Sequence, residues 1–292
     1  MSEDRRAFFR GLVRSAAEMS GPPPAPETSP AEPAEASPSA ALDAAAVDRY
    51  SRQLVLPEWS EAAQLALREA SVLVVGAGAL GSPVAAYLAG AGVGRLGIVD
   101  SDEVEVSNLH RQPLHFTPDV GVAKAHSAAA KLRFLNPDVV VEPYQARFAP
   151  PMLEGADLVV DCSDSFDTRY EVNAACCAER IPLVEGGVVG LAGLVMAIRP
   201  GVSACYRCAF PEPPPPGSAP SCAEAGVLGP AAGVIGSLQA LEALKLLAGL
   251  GTDLRDAFLQ VDLADCTVTR VAVTRRLDCA DCGQSAATPA AP

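Results

Sequence analysis

The feature that most constrains the fold of this chain is a glycine-rich turn between an apolar strand and a helix. The strand is predicted for residues 71–75, a β-branched apolar run of the kind buried in parallel sheets. Gly76 and Gly78 follow it and let the backbone bend tightly, and Gly81 lets a helix over residues 79–91 pack closely on the sheet. The first turn of such a helix has free amides that favour an anion. The pattern therefore predicts a phosphate site at the end of a parallel strand.

The rest of the pattern indicates an α/β fold with a doubly wound, Rossmann-like and mostly parallel sheet. Alternation of apolar residues also predicts a C-terminal antiparallel extension over residues 190–199, 258–262 and 267–274. A long helix is expected over residues 230–249, with a core-facing side made of Val234, Leu238, Leu241, Leu244 and Leu247. Helices are also predicted near residues 61–69, 118–134 and 167–179, between strands near residues 71, 95, 138, 157 and 181.

A carboxylate stands where a nucleotide-binding fold places one. The predicted strand over residues 95–99 ends in Asp100, about 20 residues beyond the turn, where a carboxylate usually accepts hydrogen bonds from a ribose. The glycines and this aspartate alone are typical of nicotinamide-dependent dehydrogenases. An NAD-binding oxidoreductase is therefore one hypothesis for the function.

Three charged residues further along the chain favour a different chemistry. Arg111 and Lys124 can neutralise phosphates, and Asp164 follows the apolar run 157–160, at the carboxyl end of a predicted strand. Nucleotidyl transfer needs cations on the phosphates and a metal ion to share the developing charge. A dehydrogenase has no use for these three residues. Together they indicate a site for ATP and magnesium.

The ordered motifs resemble those of the ThiF/MoeB/HesA family, the bacterial relatives of the ubiquitin-activating enzymes. The resemblance covers about residues 48–283, and its combined motifs are highly specific. The segments that carry it are residues 49–53, the glycine turn, and residues 108–112, 121–124, 161–164 and 221–227.

The resemblance implies an adenylyltransferase, which uses ATP to adenylate the C-terminal Gly-Gly carboxylate of a small ubiquitin-like sulfur-carrier protein. It implies that Asp100 holds the ribose and that Asp164 binds magnesium. Arg52 matches the family arginine that reaches the phosphates from the neighbouring subunit of a homodimer. Cys222 matches a position that in some members bonds covalently to the carrier and in others is dispensable. The nucleotide-binding set that it implies is Gly76, Gly78, Gly81, Asp100, Asn108, Arg111, Gln112 and Lys124.

Two carriers fit the resemblance equally. The molybdopterin-synthase type of molybdenum cofactor biosynthesis is favoured slightly, and the alternative is the ThiF type of thiamine thiazole synthesis. No sulfurtransferase domain follows Cys282, so sulfur is expected from a separate sulfurtransferase or cysteine desulfurase. A third hypothesis is a non-catalytic scaffold that only binds a carrier.

Four of the nine cysteines form two C-x-x-C pairs, Cys205 with Cys208 and Cys279 with Cys282. Such pairs predict a closed four-thiolate zinc site with a structural role. Two independent redox dithiols are the alternative. Four further cysteines lie in apolar stretches of predicted strand or helix and are interpreted as core residues: Cys162, Cys176, Cys177 and Cys266.

Charge and composition limit the classes of partner that the chain can bind. The formal net charge is −13, from 22 basic and 35 acidic residues, which argues against nucleic acid and anionic membranes as partners. No apolar run is expected to cross a bilayer, and free thiols favour the cytoplasm. Residues 1–46 are predicted to be a disordered extension, residues 47–283 the adenylation domain and residues 284–292 a disordered tail.

Overall fold

A computed structural model describes residues 41–215 and 226–283 of the chain. Cys222 and most of the two predicted disordered ends lie outside these residues. In the described part, the strands are β1 (Ser71–Val75), β2 (Arg95–Val99), β3 (Val140–Tyr144), β4 (Leu158–Asp161), β5 (Leu183–Val189), β6 (Ala192–Ile198), β7 (Ala257–Asp262) and β8 (Thr267–Ala272). The helices are α1 (Ala44–Arg49), α2 (Ser51–Leu54), α3 (Glu61–Glu69), α4 (Gly81–Ala91), α5 (Lys124–Leu135), α6 (Phe166–Glu179), α7 (Tyr206–Ala209) and α8 (Gly229–Ala248).

The strands form one eight-stranded sheet in the order β3-β2-β1-β4-β5-β6-β7-β8. The pairings from β3 to β5 are parallel, and those from β5 to β8 are antiparallel. This confirms the predicted parallel core and its antiparallel C-terminal extension. The chain order reverses between β1 and β4, which is where open α/β sheets bind ligands.

Both faces of the parallel core are covered. Val72 and Val74 of β1 pack in one apolar cluster with α4, α5 and α8, whereas Leu73 and Val75 pack in another with α6 and the segments that carry the paired cysteines. The alternation explains why this strand has no polar position after Ser71. In the parallel core, a ligand can therefore reach the ends of the strands but not the faces of the sheet.

The predicted inner face of the long helix was wrong at two of its five residues. Val234 is 40% exposed and Leu241 is 52% exposed, while Leu238, Leu244 and Leu247 are partly buried against the core. The helix lies close to the sheet. A Cβ on Gly186 or Gly193 would come within 2.6 Å of its Gln239 or Ile235, so these two larger side chains fit because they lie over glycines. The buried side of the helix is otherwise made mostly of small residues: Ala231, Ala232, Gly236, Ala240 and Ala243.

By length and composition alone, α8 is apolar enough to cross a membrane, contrary to the expectation from the sequence. Its contacts with β5, β6, α3 and α4 make it a core helix in the described part of the chain. One smaller correction concerns Cys266. It is exposed in the turn between β7 and β8, so it is not a core residue. The first described helix, α1, begins at Ala44.

Candidate nucleotide site and cysteine cluster

Three neighbouring strands end at one edge of the sheet. Val75 of β1 is in register with Val99 of β2 and with Asp161 of β4. The N–H of Gly76 donates to the Val99 carbonyl at 2.7 Å, and the N–H of Cys162 donates to the Val75 carbonyl at 2.8 Å. The glycine turn, Asp100 and the loop after β4 therefore start side by side, as the sequence predicted.

Two of the glycines are required by the backbone. Gly76 has a φ of +97°, and a Cβ there would lie 2.8 Å from the Cys162 carbonyl oxygen. A Cβ on Gly81 would lie 1.9 Å from the Gly76 carbonyl oxygen. Gly78 is different, because the nearest atom to its missing Cβ is Nε2 of Gln112 at 3.6 Å. The tight bend thus depends on Gly76 and Gly81, while Gly78 leaves room beside Gln112.

Asp100 is tied to the turn by its side chain. Its Oδ2 accepts from the N–H of Ala77 at 2.8 Å, and its Oδ1 accepts from the N–H of Asp102 at 2.8 Å. Burial raises the pKa of Asp100 above its ordinary value, against the opposing effect of these two donors. The carboxylate is therefore fixed beside the turn, where a ribose is held in related folds.

Lys124 is the first residue of α5 and is 8% exposed. Its Nζ lies 2.9 Å from Oδ2 of Asp102, and this ammonium lowers the pKa of the Asp102 carboxyl. The Asp102 side chain is 66% exposed. The aliphatic part of Lys124 is thus buried, while its ammonium pairs with a solvent-exposed carboxylate. A phosphate could replace Asp102 as the partner of this ammonium.

The loop after β2 holds the other polar residues of the set. Asn108 is buried, and its Oδ1 accepts from the N–H of Glu105 at 3.2 Å, which closes a short 3₁₀ turn. Arg111 donates from Nη1 to the carbonyl of Ser107 at 2.7 Å. Gln112 is buried, and its Oε1 has no hydrogen-bond partner among the described residues. Asn108 shapes this loop, and Arg111 and Gln112 stand on it.

Asp164 is exposed, three residues past the end of β4. Its side chain has no hydrogen bond or ion pair with any described residue. The backbone before it is held firmly, since Ser163 donates its N–H to Oδ1 of Asp161 at 2.8 Å and accepts at its carbonyl from Nη2 of Arg169 at 3.0 Å. Ser165 caps α6. An exposed carboxylate on a fixed loop suits a hard cation such as magnesium.

Arg52 is not brought to this edge within one chain. It lies on α2, where the neighbouring Gln53 donates to the Ala91 carbonyl at 3.0 Å, at the C-terminal end of α4. The glycine turn is at the other end of that helix, which has 11 residues and so is about 16 Å long. The exposed side chain of Arg52 has no partner in the described part of the chain.

The two C-x-x-C pairs come together. The Sγ atoms of Cys205 and Cys279 are 3.6 Å apart, and those of Cys208 and Cys282 are 3.4 Å apart. All four thiols are buried, and their sulfurs lie within 4.8 Å of one another. A tetrahedral zinc ion with Zn–S bonds of about 2.3 Å needs sulfurs about 3.8 Å apart. The cluster could therefore hold zinc, which favours the metal site over two independent dithiols.

Sequence reasoning assigned nothing to His115, which is buried between the turn and α5. One of its ring nitrogens contacts the carbonyl of Ala77 and the other contacts Ser127, partners 38 and 12 positions away in sequence. It also missed the buried acids Asp161 and Glu185, which face each other across β4 and β5. No local motif signals these contacts, because they depend on how distant segments pack.

The model of the ThiF family matches residues 50–282 of the chain. The sulfur carrier protein adenylyltransferase of Thermus thermophilus is 48% identical over 246 residues, which are 81% of this chain and 91% of that protein. The SAMP-activating enzyme E1 of Haloferax volcanii is 47% identical over 83% of this chain and 91% of its own length. These names agree with the prediction of an adenylyltransferase.

Longer relatives also match. The adenylyltransferase and sulfurtransferase MOCS3 of Sus scrofa is 49% identical over 85% of this chain, but the chain spans about half of that protein, 55%. Among solved structures, E. coli MccB has a TM-score of 0.73 at 23% identity, over 81% of this chain and 75% of its own. At that identity, the likeness shows a shared fold alone.

Proposed function

Since this chain belongs to the ThiF family, we propose that it uses ATP to adenylate the C-terminal Gly-Gly carboxylate of a small ubiquitin-like sulfur-carrier protein. The observation that supports this best is the shared sheet edge, where the glycine turn, Asp100, Lys124 and the loop of Asp164 converge. The names of the Thermus and Haloferax relatives support the same reaction class.

The roles follow from charge. The glycine turn and the first amides of α4 bind phosphate oxygens, and Asp100 binds the ribose. The Lys124 ammonium exchanges its contact with Asp102 for one with the phosphates. Arg111 supplies a second cation, and Asn108 and Gln112 are polar residues on the same loop. Asp164 holds magnesium, which when bound shares the negative charge that develops on the phosphates.

The carrier's carboxylate attacks the α-phosphorus of ATP, so that an acyl–adenylate bond forms and pyrophosphate leaves. No general base is needed, because the attacking carboxylate is already ionised at neutral pH. Catalysis then rests on positioning and on neutralising like charges. The position of Arg52, at the far end of α4 from the turn, supports a homodimer in which this arginine reaches the phosphates of the second copy.

The molybdopterin-type carrier is the first candidate and the thiazole-type carrier the second. The relatives' names do not separate the two. Cys222 is proposed as the residue that bonds to the activated carrier, with sulfur supplied by a sulfurtransferase or cysteine desulfurase. Comparing the wild type with Cys222→Ser for acyl-adenylate formation and for sulfur transfer, with each carrier, separates the two steps.

The test is carrier-dependent exchange of labelled pyrophosphate into ATP. We expect exchange with one of the two carriers, and a loss of about 100-fold in Asp164→Asn and Lys124→Met. Asp167→Asn, which removes a nearby exposed acid, is the control and should retain full exchange. Full exchange by Asp164→Asn would overturn the assigned role of that residue.

The other two hypotheses predict different results. An oxidoreductase would bind NAD saturably and would not release it to ATP with magnesium. A non-catalytic scaffold would bind a carrier normally, show no exchange, and be insensitive to Arg111→Ala.

A further inference from the structure

His115 connects the glycine turn to the helix that begins with Lys124. Its Nε2 lies 2.8 Å from the carbonyl oxygen of Ala77, in the turn, and its Nδ1 lies 2.9 Å from Oγ of Ser127, one turn into α5. The ring is 3% exposed. It is therefore held by two hydrogen bonds in a site closed to solvent.

The partners of the His115 ring fix its protons. The carbonyl oxygen of Ala77 can only accept, so the ring nitrogen that contacts it, Nε2, carries a proton and donates. In the neutral imidazole Nδ1 is then an acceptor and takes the hydroxyl proton of Ser127. Nζ of Lys131 lies 3.0 Å from Ser127 Oγ, and an ammonium can only donate, so the serine oxygen accepts from it.

The resulting chain of donors runs in one direction. Lys131, whose other partner is Asp119, donates to Ser127, Ser127 to His115, and His115 to Ala77. On its other side Ala77 donates its N–H to Asp100. Ala77 is thus hydrogen-bonded at its N–H to Asp100 and at its carbonyl to the neutral His115.

The surroundings of the ring favour this neutral form. Burial lowers the pKa of His115, and the charges of Lys124 and Lys131 lower it further, while the Ala77 carbonyl and the charge of Asp100 oppose them. A protonated ring would carry a proton on Nδ1 as well, so Nδ1 could no longer accept from the Ser127 hydroxyl. The donor chain from Lys131 to Ala77 therefore requires the neutral ring.

We propose that His115 is a positioning residue for the nucleotide, acting through the carbonyl of Ala77 to hold the glycine turn in its phosphate-binding shape. This inference rests on the proposed use of ATP. His115 itself contacts neither phosphate nor ribose in the proposed site. Its effect should consequently appear in nucleotide binding and not in the chemical step.

The test compares His115→Phe with His115→Gln. Phenylalanine keeps the ring volume and removes both hydrogen bonds, whereas glutamine can still donate from Nε2 to Ala77. We expect the dissociation constant for ATP with magnesium to rise about tenfold in His115→Phe, equivalent to one buried hydrogen bond. His115→Gln should recover most of that loss, and kcat with saturating ATP should stay close to the wild-type value. His126→Phe, an exposed change on the same helix, should have no effect.

Equal ATP affinities in the two variants, or an unchanged affinity in His115→Phe, would show that the ring only fills space. If His115→Phe does not fold, Ser127→Ala removes the donor to Nδ1 and should weaken ATP binding in the same direction. Nitrogen NMR of the wild type should show the proton on Nε2, and a proton on Nδ1 would overturn the donor chain. Because ATP binding is measured without a carrier, a failure of carrier adenylation would not be mistaken for a failure of this inference.

Discussion

The side-chain amide of Asn173 joins both halves of the cysteine cluster to one helix. Its Nδ2 donates to Oδ2 of Asp281 at 2.6 Å, across 108 positions of sequence, and its Oδ1 accepts from the N–H of Tyr206 at 2.9 Å. Tyr206 directly follows Cys205, and Asp281 directly precedes Cys282. Arg207 adds a second tie, 2.9 Å from the same carboxylate. The thiols are thus oriented by contacts with α6.

Replacing Asn173 by alanine should weaken the binding of zinc by the cysteine cluster. The change leaves the buried Tyr206 N–H without its acceptor and frees Asp281, at a cost of about 1–3 kcal/mol. We expect faster release of zinc to a colorimetric chelator and a lower unfolding temperature. Glu171→Ala, an exposed change on the same helix, is the control, and identical release rates in both variants would contradict this role for Asn173.

The purified chain should contain stoichiometric zinc, measured by atomic emission. Four-thiolate ligation is worth on the order of 10 kcal/mol in small domains, so Cys208→Ser or prolonged chelation should strongly destabilise the C-terminal strands. Cys266→Ser, which alters an exposed thiol outside the cluster, should leave both zinc content and unfolding unchanged. A metal-free chain with full stability would refute the structural role.

Two alanine substitutions in the same turn should differ in their effect on the free energy of unfolding. Gly81→Ala places a Cβ 1.9 Å from the Gly76 carbonyl oxygen and should destabilise the fold by about 1–3 kcal/mol, the cost typical of overpacking. Gly78→Ala meets only Nε2 of Gln112 at 3.6 Å and should fold normally. Urea unfolding measures both. Equal destabilisation would mean that the turn relaxes more than its contacts indicate.

Glu185 should make the stability of the chain depend on pH. It is fully buried opposite Asp161, and burial first, then the Asp161 charge, raise its pKa well above the ordinary value, with Arg169 opposing. A raised pKa contributes stability that is complete below the unfolded-state value and is lost as pH rises toward the folded-state value. Glu185→Gln removes this dependence, so its advantage over the wild type should grow between about pH 5.5 and about pH 8.5. Parallel urea curves at both pH values would contradict the assignment.

Much of this fold could be predicted because its signals are local. The β-branched run, the glycines and the helix after them specify the strand, turn and helix around residues 71–91, and the strand ends bring Asp100 and the Asp164 loop to one edge. The spacing of the paired cysteines likewise predicted their cluster. In each case the residues that carry the signal are adjacent or separated by a fixed spacing.

The failures have a common physical cause, which is packing between distant segments. The inner face of α8 was misassigned at Val234 and Leu241 because large side chains were expected inside, whereas its buried residues are mostly small. Two larger ones, Gln239 and Ile235, fit because they lie over Gly186 and Gly193. His115 has no motif around it, and its partners in the turn and in α5 are known only once those elements are packed.

Tyr206 connects the cysteine cluster to the loop of Asp164. Its ring lies 5.6 Å from the guanidinium of Arg169, the group that holds the Ser163 carbonyl ahead of Asp164. Loss of zinc from the proposed site would remove one anchor of the segment that carries this ring, while Asn173 would still hold its backbone. Zinc-depleted protein is then expected to keep the glycine turn but to hold the loop of Asp164, the proposed magnesium ligand, less firmly.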